Sequence, residues 1–541
     1  MSSGSSRVDQ SAGGQYSRRG VLKAGLLSLG AVGTLGPLLE ACGGTATTSN
    51  GTARGNQLVG SLAESFTQFD PRTNAALAGI CVTDLVFEGL LRRDDVSGQL
   101  VPQLASAMPT QVGSNTYRVS IRSGAKFSTG TAVTADDVIY TLKTMQSTSL
   151  ASLYQPYLSI FADARKVDSQ TVDFVLSFPT TLVNDRLAFL KIVPESYVEA
   201  KGDKAFAVHP VGSGPYKFVS AVANGQVTLA RNAAYNGSLI NSTPTIVFRQ
   251  QTEDSARVSG LLSGQNAAID NVPFADIATV KSRSNLHVDS IPGNLNALVL
   301  FNCGKAPFSD VRVRQAFLYA VDRDAIAKGA YLGNARVANG VLTPADPGYI
   351  APSTVYNYDP AKAKSLLSEA GYPRGFNLNL MVANQGIMTA AAPLIQSNLN
   401  AAGIKTSIQE GDTEALYSNV TDGHYQAYFA PADWSVFGRD PNLMLSWLYY
   451  GAFASQYLFW TNSDAKNMTK ALDAGLRAAD SATAQTQWAQ AQNIVADSVP
   501  AFPLFQLNAV TAHSTEITGF APPSEAGLYF ENTTAGTWHA A

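Results

Sequence analysis

Two hydrophobic periods take turns along the chain after residue 56. Stretches where apolar and polar residues alternate predict strands, and stretches with apolar residues three and four apart predict helices. NQLVGSLAESFTQFDP (56–71) predicts a strand ending at Asp70-Pro71. The helix after it carries Leu77, Ile80, Leu85 and Val86 at its apolar positions and breaks near Gly89. TYRVSIRSGAKFSTGTAVTADDVIYTLKTM (116–145) predicts a strand, a glycine-containing turn and a helix. There Thr134 and Asp137 make a capping box, and Val138, Ile139 and Leu142 form the buried stripe. TVDFVLSF (171–178) alternates as a strand up to Pro179, and in VGSGPYKFVSAVANGQVTLARNAAY (211–235) two strands flank Asn224-Gly225, which predicts a hairpin. From Ile246 strands and helices alternate up to ALVLFN (297–302), whose unbroken apolar run predicts a strand of the parallel type. Ser309 or Asp310 caps a helix with Val313, Ala316, Phe317, Ala320 and Val321 on one face. Asp359-Pro360 starts another around Leu366 and Leu367, ended by Gly371 and Pro373. Over 541 residues this predicts an α/β chain of two or more lobes, since one core rarely serves so many residues.

One stretch fits neither period. YFAPADWSVFGRDP (428–441) places four rings, Tyr428, Phe429, Trp434 and Phe437, on a segment interrupted by Pro431 and Gly438. Either the rings are core or they wall a pocket.

Composition narrows the function classes. Hydrophobic content of 45%, charged content of 15% and a formal charge of −3 describe a globular body without the clustered basic field that nucleic acid requires. The five histidines, His209, His287, His424, His513 and His539, show no i,i+4 pair, no H-E-x-x-H and no cysteine partners, so their spacing gives a zinc site no support. G-x-S-x-G, P-loop and dinucleotide motifs are missing from the chain, and Asp94-Asp95 and Asp136-Asp137 sit at turn and cap positions. Cys81 falls in an apolar helical pattern and reads as a small buried thiol, with a bridge to Cys303 as the alternative.

The N-terminus reads as a targeting device. SRRGVLKAG (17–25) resembles a twin-arginine export signal, with Arg18 and Arg19 ahead of an uncharged stretch from Ala24 to Leu39. That stretch is shorter than the roughly 20 residues a spanning helix needs. LLEAC (38–42) resembles a lipobox, with Leu39 at −3, Ala41 at −1 and Cys42 as the lipid-bearing residue; Glu40 at −2 departs from the usual pattern. Cleavage nearby with simple secretion, or a retained anchor, are the alternatives. GGTATTSNGTARG (43–55) then reads as a flexible tether with a reach of roughly 20 Å. Loss of residues 1–41 takes four basic and two acidic groups from 38 and 41, leaving a mildly acidic −5.

An exported, tethered, two-lobed body with this order of motifs resembles the peptide/nickel-type (family 5) solute-binding proteins of ABC importers. The likeness runs from Phe69 to about Leu507 and rests on FDP, DLVFEGLLRRDDVSGQLVPQLA, YRVSIRSGAKFSTGTAVTADDVIYTL, GSGPYKF, LARNAAY, FSDVRVRQAFLYAVDRDAI, YDPAKAKSLLSEAGYP and PAFPLFQ, in that order. It implies a two-lobed periplasmic-binding-protein-like α/β fold with three subdomains and a ligand cleft between the lobes. Mapped here, residues 1–42 are signal and 43–56 tether. Segments 57–83, 209–295 and 505–541 make a discontinuous first-lobe core, 84–208 its extra subdomain and 296–504 the second lobe.

The resemblance further implies that the lobes close over an oligopeptide or peptide-like solute and pass it to a membrane permease with its ATPase. The chain would then be a monomer held at the membrane by lipid, with no nucleic acid, cofactor, metal ligand or catalytic residue. Ligand contacts would come from Phe66, Thr67, Asp433, Trp434, Ser435, Val436 and Phe437, so that the rings of the irregular stretch face ligand at least in part. One position departs from the family: Phe437 stands where peptide-binding relatives often carry an Asp that pairs with the ligand's ammonium. Asp433 lies about 13 Å away along an extended strand. Either the peptide register is shifted, or the ligand is of another kind, such as haem, a nickel chelate, an opine or an oligosaccharide. A secreted hydrolase and a sensor lipoprotein are the competing functions.

Overall fold

Two strands far longer than their neighbours, Leu286–Phe301 and Ala501–Ser514, organise the molecule. The computed structural model describes residues 57–66, 68–74, 76–94, 98–239, 243–433, 438–522, 527–530 and 534–535. Its main sheet runs in the order Ile404–Gly411, Phe376–Ala383, Ala427–Ala432, Leu286–Phe301, Ala501–Ser514, Ala268–Ile269, Gln57–Leu62, Thr245–Gln250, Gln226–Arg231, Tyr216–Ala221, with Ala335–Val337 added beside Ala501–Ser514. The long pair is antiparallel. From Leu286↔Ser514 to Pro292↔Asn508 it belongs to one half of the sheet; from Asn296↔Gln506 to Leu300↔Ala501 it belongs to the other. The register slips between Pro292 and Asn296. Gly293 sits in the slip, and a Cβ there would lie 2.6 Å from both the Ala509 nitrogen and the Leu507 oxygen. Only glycine lets the strands approach this closely.

Separate apolar cores flank these strands. One gathers Leu58, Leu62, Cys81, Leu85, Phe87, Phe206, Tyr216, Phe248 and Phe530. A second, within 90–192, lies between the antiparallel sheet Thr110–Gly113, Thr116–Ser120, Thr171–Leu176, Phe161–Asp168 and the helix Ala135–Gln146. The largest is built from 297–507. The second and third interlock: Leu443, from helix Pro441–Tyr449, is buried in the second core, and Leu182 in the third. Among the described residues no helix is long and apolar enough to cross a membrane.

Local chemistry sets many element ends where the sequence places them. The Thr134 N–H and hydroxyl both donate to Asp137 Oδ2 at 2.8 Å, fixing the start of Ala135–Gln146. Asn224 takes a φ of 53° in the turn between Tyr216–Ala221 and Gln226–Arg231. Asp310 and Asp359 cap Val311–Ala320 and Pro360–Glu369 by accepting from the Arg312 and Lys362 backbone N–H groups.

Four expectations need correction. The first strand stops at Leu62, eight residues before Asp70. Helix Leu77–Val86 buries Ala78, Cys81, Val82, Leu85 and Val86, leaving Leu77 and Ile80 half-buried, because it is embedded on more than one side. The ALVLFN run is antiparallel to both neighbours; it is apolar throughout because each face of the sheet is covered there, which parallel pairing does not require. Finally, Ala427–Ala432 is a strand despite Pro431: its ladder to Phe376–Ala383 has already ended at Phe429, so a missing N–H costs nothing on that side. Cys81 is buried, Cys303 half-buried, and both are free.

Candidate functional site

In open α/β sheets ligands bind outside the carboxyl ends of the strands. Both described segments of the expected site leave such ends. Gln57–Leu62 runs parallel to Thr245–Gln250 and Ala268–Ile269, and the chain then turns through Ala63 to Phe66. That turn is tied down from the neighbouring strands: Asp270 Oδ1 accepts from the Ala63 N–H at 2.8 Å, and Gln250 Oε1 from the Phe66 N–H at 3.2 Å. Asp270 is buried, and burial pushes its carboxyl up to about 7, against the opposing pull of Arg257 and the Ala63 N–H. On the other side Ala427–Ala432 runs parallel to Phe376–Ala383 and releases Asp433 at its carboxyl end.

Between these halves lies a cavity of about 250 Å³. Its walls come from four separate parts of the chain: 71–103, 154–191, Gly438 with Arg439, and Tyr529. Four cations (Arg92, Arg93, Lys191, Arg439) and three carboxylates (Asp84, Asp94, Asp185) face it, beside Phe87, Tyr154, Phe189 and Tyr529. Most of these charges are held. Lys191 pairs with Asp84, Arg93 with Asp185 at 3.1 Å, and Arg439 with the buried Asp346 at 2.7 Å. Desolvation raises the Asp185 carboxyl, and Asp440 nearby adds to the effect. Arg92 is the loosest: it reaches Asp94 only at 3.5 Å, and its Nε is buried without a hydrogen-bond partner. One buried ion pair, next in sequence to the cavity residues Asp185 and Arg439, joins segments 254 residues apart. Arg186 donates to both oxygens of Asp440 at 2.8 and 3.1 Å, and Asp440 also caps Pro441–Tyr449. The guanidinium lies over Tyr157 and Phe189. Removing one partner of such a pair strands a charge, at a cost of roughly 3–5 kcal/mol.

The structure does not bring all the expected site residues together. Phe66 is half-buried, its ring 6.1 Å from Phe69, which in turn lies 5.4 Å from Phe218 with the rings tilted by 45°. Asp433 is half-buried at its strand end. Neither lines the cavity. Thr67, Trp434, Ser435, Val436 and Phe437 lie outside the described residues, as do Arg18, Arg19 and Cys42. Of the four rings in the irregular stretch, Tyr428 and Phe429 are fully buried in the largest core, so for these two the pocket-wall expectation is corrected to core packing. They alternate sides of a strand that is covered on both faces.

Sequence reasoning passed over the charged residues of 84–94 and Arg439, which look like ordinary surface positions until the fold faces them inward. It also passed over His287, Asp289 and His513, whose ligand atoms all lie within 4.8 Å of one another. The local trace of that cluster is the i,i+2 spacing of His287 and Asp289; its third member is 226 residues further along.

The chain belongs to the bacterial extracellular solute-binding proteins, family 5, whose middle region matches residues 99–456. It is thus a solute-binding protein of an ABC importer, with that family's two-lobed mixed α/β fold. The glutathione-binding protein GsiB of Shigella dysenteriae is 27% identical over 529 residues, spanning 95% of this chain and 99% of the relative. Among solved structures, the binding protein AgaA of A.tumefacien R10 in complex with agropinic acid superposes with a TM-score of 0.76 at 26% identity, covering 90% of this chain and 99% of that one. The DppA protein of Helicobacter pylori in complex with the peptide STSA has the same fold, with a TM-score of 0.76 at 22% identity, covering 88% and 97%.

Proposed function

We propose that this chain captures a short peptide or peptide-like acid bearing both charges, and hands it to the importer's permease without turning it over. The observation that carries this reading is the cavity with four cations against three carboxylates. Such a lining suits a zwitterion, whose carboxylate and ammonium can exchange partners with the resident ion pairs, and gives an uncharged sugar no such exchange. Arg92, held only by long contacts to Asp94 at 3.5 Å and the Arg93 carbonyl at 3.4 Å, is the group we assign to the ligand carboxylate. The names of the relatives support the same class: glutathione, the peptide STSA and agropinic acid are each the stated ligand of one of them. With Phe437 in place of an acid, the ligand ammonium competes for a cavity carboxylate, most readily Asp94, whose pairing with Arg92 at 3.5 Å is the longest of the set. Phe66, Thr67, Asp433, Trp434, Ser435, Val436 and Phe437 are kept as proposed ligand contacts on the family resemblance. The division into 57–83, 209–295 and 505–541, with 84–208 and 296–504, is the working set of bodies that move.

Thermal-shift and calorimetric titration of the purified chain tests this, using glutathione, di- to tetrapeptides, their C-amidated forms and a neutral disaccharide. Free-carboxylate peptides should raise Tm, and Arg92→Ala should weaken them at least about tenfold while sparing the amidated forms. Preference for the disaccharide, or an equal loss for both peptide forms, would overturn the reading. Recovery of a cleaved ligand would point to a hydrolase.

We also propose export through Arg18 and Arg19, anchoring through a lipid on Cys42, and a monomeric body on the tether 43–56. Cys42→Ala should release the protein from membranes as a monomer; membrane retention would mean that the uncleaved segment is the anchor.

A further inference from the structure

The first half of the long strand pair has two unlike faces. On one, Val288, Val510 and Ala512 pack against Val258, Leu261 and Val280. The alternation of a strand sends His287 and Asp289 to the other face. His513 lies directly opposite His287, and Thr511 opposite Asp289, so these four side chains form one cross-strand patch. His287 Nε2 is 3.1 Å from Asp289 Oδ1, and His513 Nε2 is 3.4 Å from Asp289 Oδ2. Phe520 packs edge-on against the His513 ring at 5.0 Å.

The hydrogen bonding of this patch is incomplete in a specific way. His513 Nδ1 lies 2.9 Å from the Ser514 carbonyl oxygen, which can only accept, so Nδ1 carries the proton. In the neutral ring Nε2 then turns a lone pair toward the carboxylate. Asp289 Oδ2 is buried without a hydrogen-bond donor, and so is the hydroxyl oxygen of Thr511, a residue only 2% exposed. Lone pairs facing one another at this range call for a proton or a metal ion between them. A backbone carbonyl behind a ligating imidazole is also the outer partner that fixes the tautomer at metal centres.

We propose that His287, Asp289 and His513 form a mononuclear site for a divalent transition-metal ion of the zinc class. Tetrahedral bonds of about 2.0–2.1 Å hold neighbouring donors about 3.3–3.4 Å apart. Here each imidazole stands at 3.1 or 3.4 Å from its own carboxylate oxygen, and one donor atom from each residue falls within 4.8 Å of the others, so the side chains draw together to close on an ion. Two imidazoles and one carboxylate, without thiolate, favour Zn²⁺ or Ni²⁺ over the all-oxygen preference of Mg²⁺ and Ca²⁺. Three protein ligands leave one position open, and it faces solvent beside the exposed His287. None of the three lines the solute cavity, so the ion staples the strands that join the two halves of the sheet and takes no part in holding solute.

The test uses the full chain, stripped with EDTA and dialysed, then titrated separately with ZnCl₂, NiCl₂ and MgCl₂. Calorimetry should show one equivalent of Zn²⁺ bound, with a rise in Tm that Mg²⁺ does not produce. His513→Ala should abolish the rise, and His287→Ala, at an exposed position that does not threaten folding, should weaken Zn²⁺ by roughly 10–100-fold. Circular dichroism checks that each variant is folded. Failure of the wild type to bind stoichiometric Zn²⁺ would overturn the site and leave an imidazolium–carboxylate pair in its place. Equal Zn²⁺ binding by wild type and His287→Ala would overturn it too. Peptide titrations repeated in EDTA separate this outcome from any failure of the solute reading.

Discussion

Asp270 shows how a single carboxyl can hold a turn and tax the fold at once. It accepts from the Ala63 N–H, so it fixes the turn that leads to Phe66. Burial raises its pKa to about 7, and the neighbouring Glu64, itself raised by desolvation, pushes the same way. The unfolded chain releases this proton near 3.9, the native state near 7. Between those values the native state binds more protons, so the Asp270 contribution to stability falls as pH rises and levels off above 7. Asp270→Asn keeps the shape and the acceptor oxygen but cannot ionise. Denaturant titrations from pH 4 to 8 should show the variant gaining on wild type by at most about 1.4 kcal/mol per pH unit up to pH 7, then by a constant amount. A stability difference that does not change with pH would contradict this account of the residue.

At the scale of elements, legibility followed the range of the interaction. Helix starts at Thr134, Asp310 and Asp359 and the turn at Asn224 are set by contacts within a few residues, and the sequence shows them directly. Strand direction is set by partners far away: ALVLFN carries the apolar run of a strand covered on both sides, but nothing in it records that both neighbours are antiparallel. The strand Ala427–Ala432 was hidden by Pro431, because whether a proline is tolerated depends on where the adjacent ladder stops. The same distance rule divides the site. Phe66 and Asp433 were named through a family resemblance, and neither lines the cavity. By contrast Arg186 with Asp440, the charges of 84–94 facing Arg439, and His287 with His513 are juxtapositions of segments 226 residues or more apart. The aromatic stretch misled in part, since a strand buried on both faces and a pocket wall share the same composition.

The whole molecule is two halves of one sheet joined through Leu286–Phe301 and Ala501–Ser514, with a charge-lined cavity where residues of 71–103 and 154–191 meet Gly438 and Arg439. The slip at Pro292–Asn296, held open to close approach by Gly293, gives these connecting strands a place to bend without breaking the ladders on either side. A solute that contacts both halves must therefore favour the arrangement in which they are closest, by the difference between its contacts in the two arrangements. Capture by closure brings the two halves together, and small-angle scattering reads that compaction. The radius of gyration of the chain is measured alone and then saturated with the peptide that gives the largest Tm shift. It should fall on binding, whereas an unchanged radius at full occupancy would contradict capture by closure.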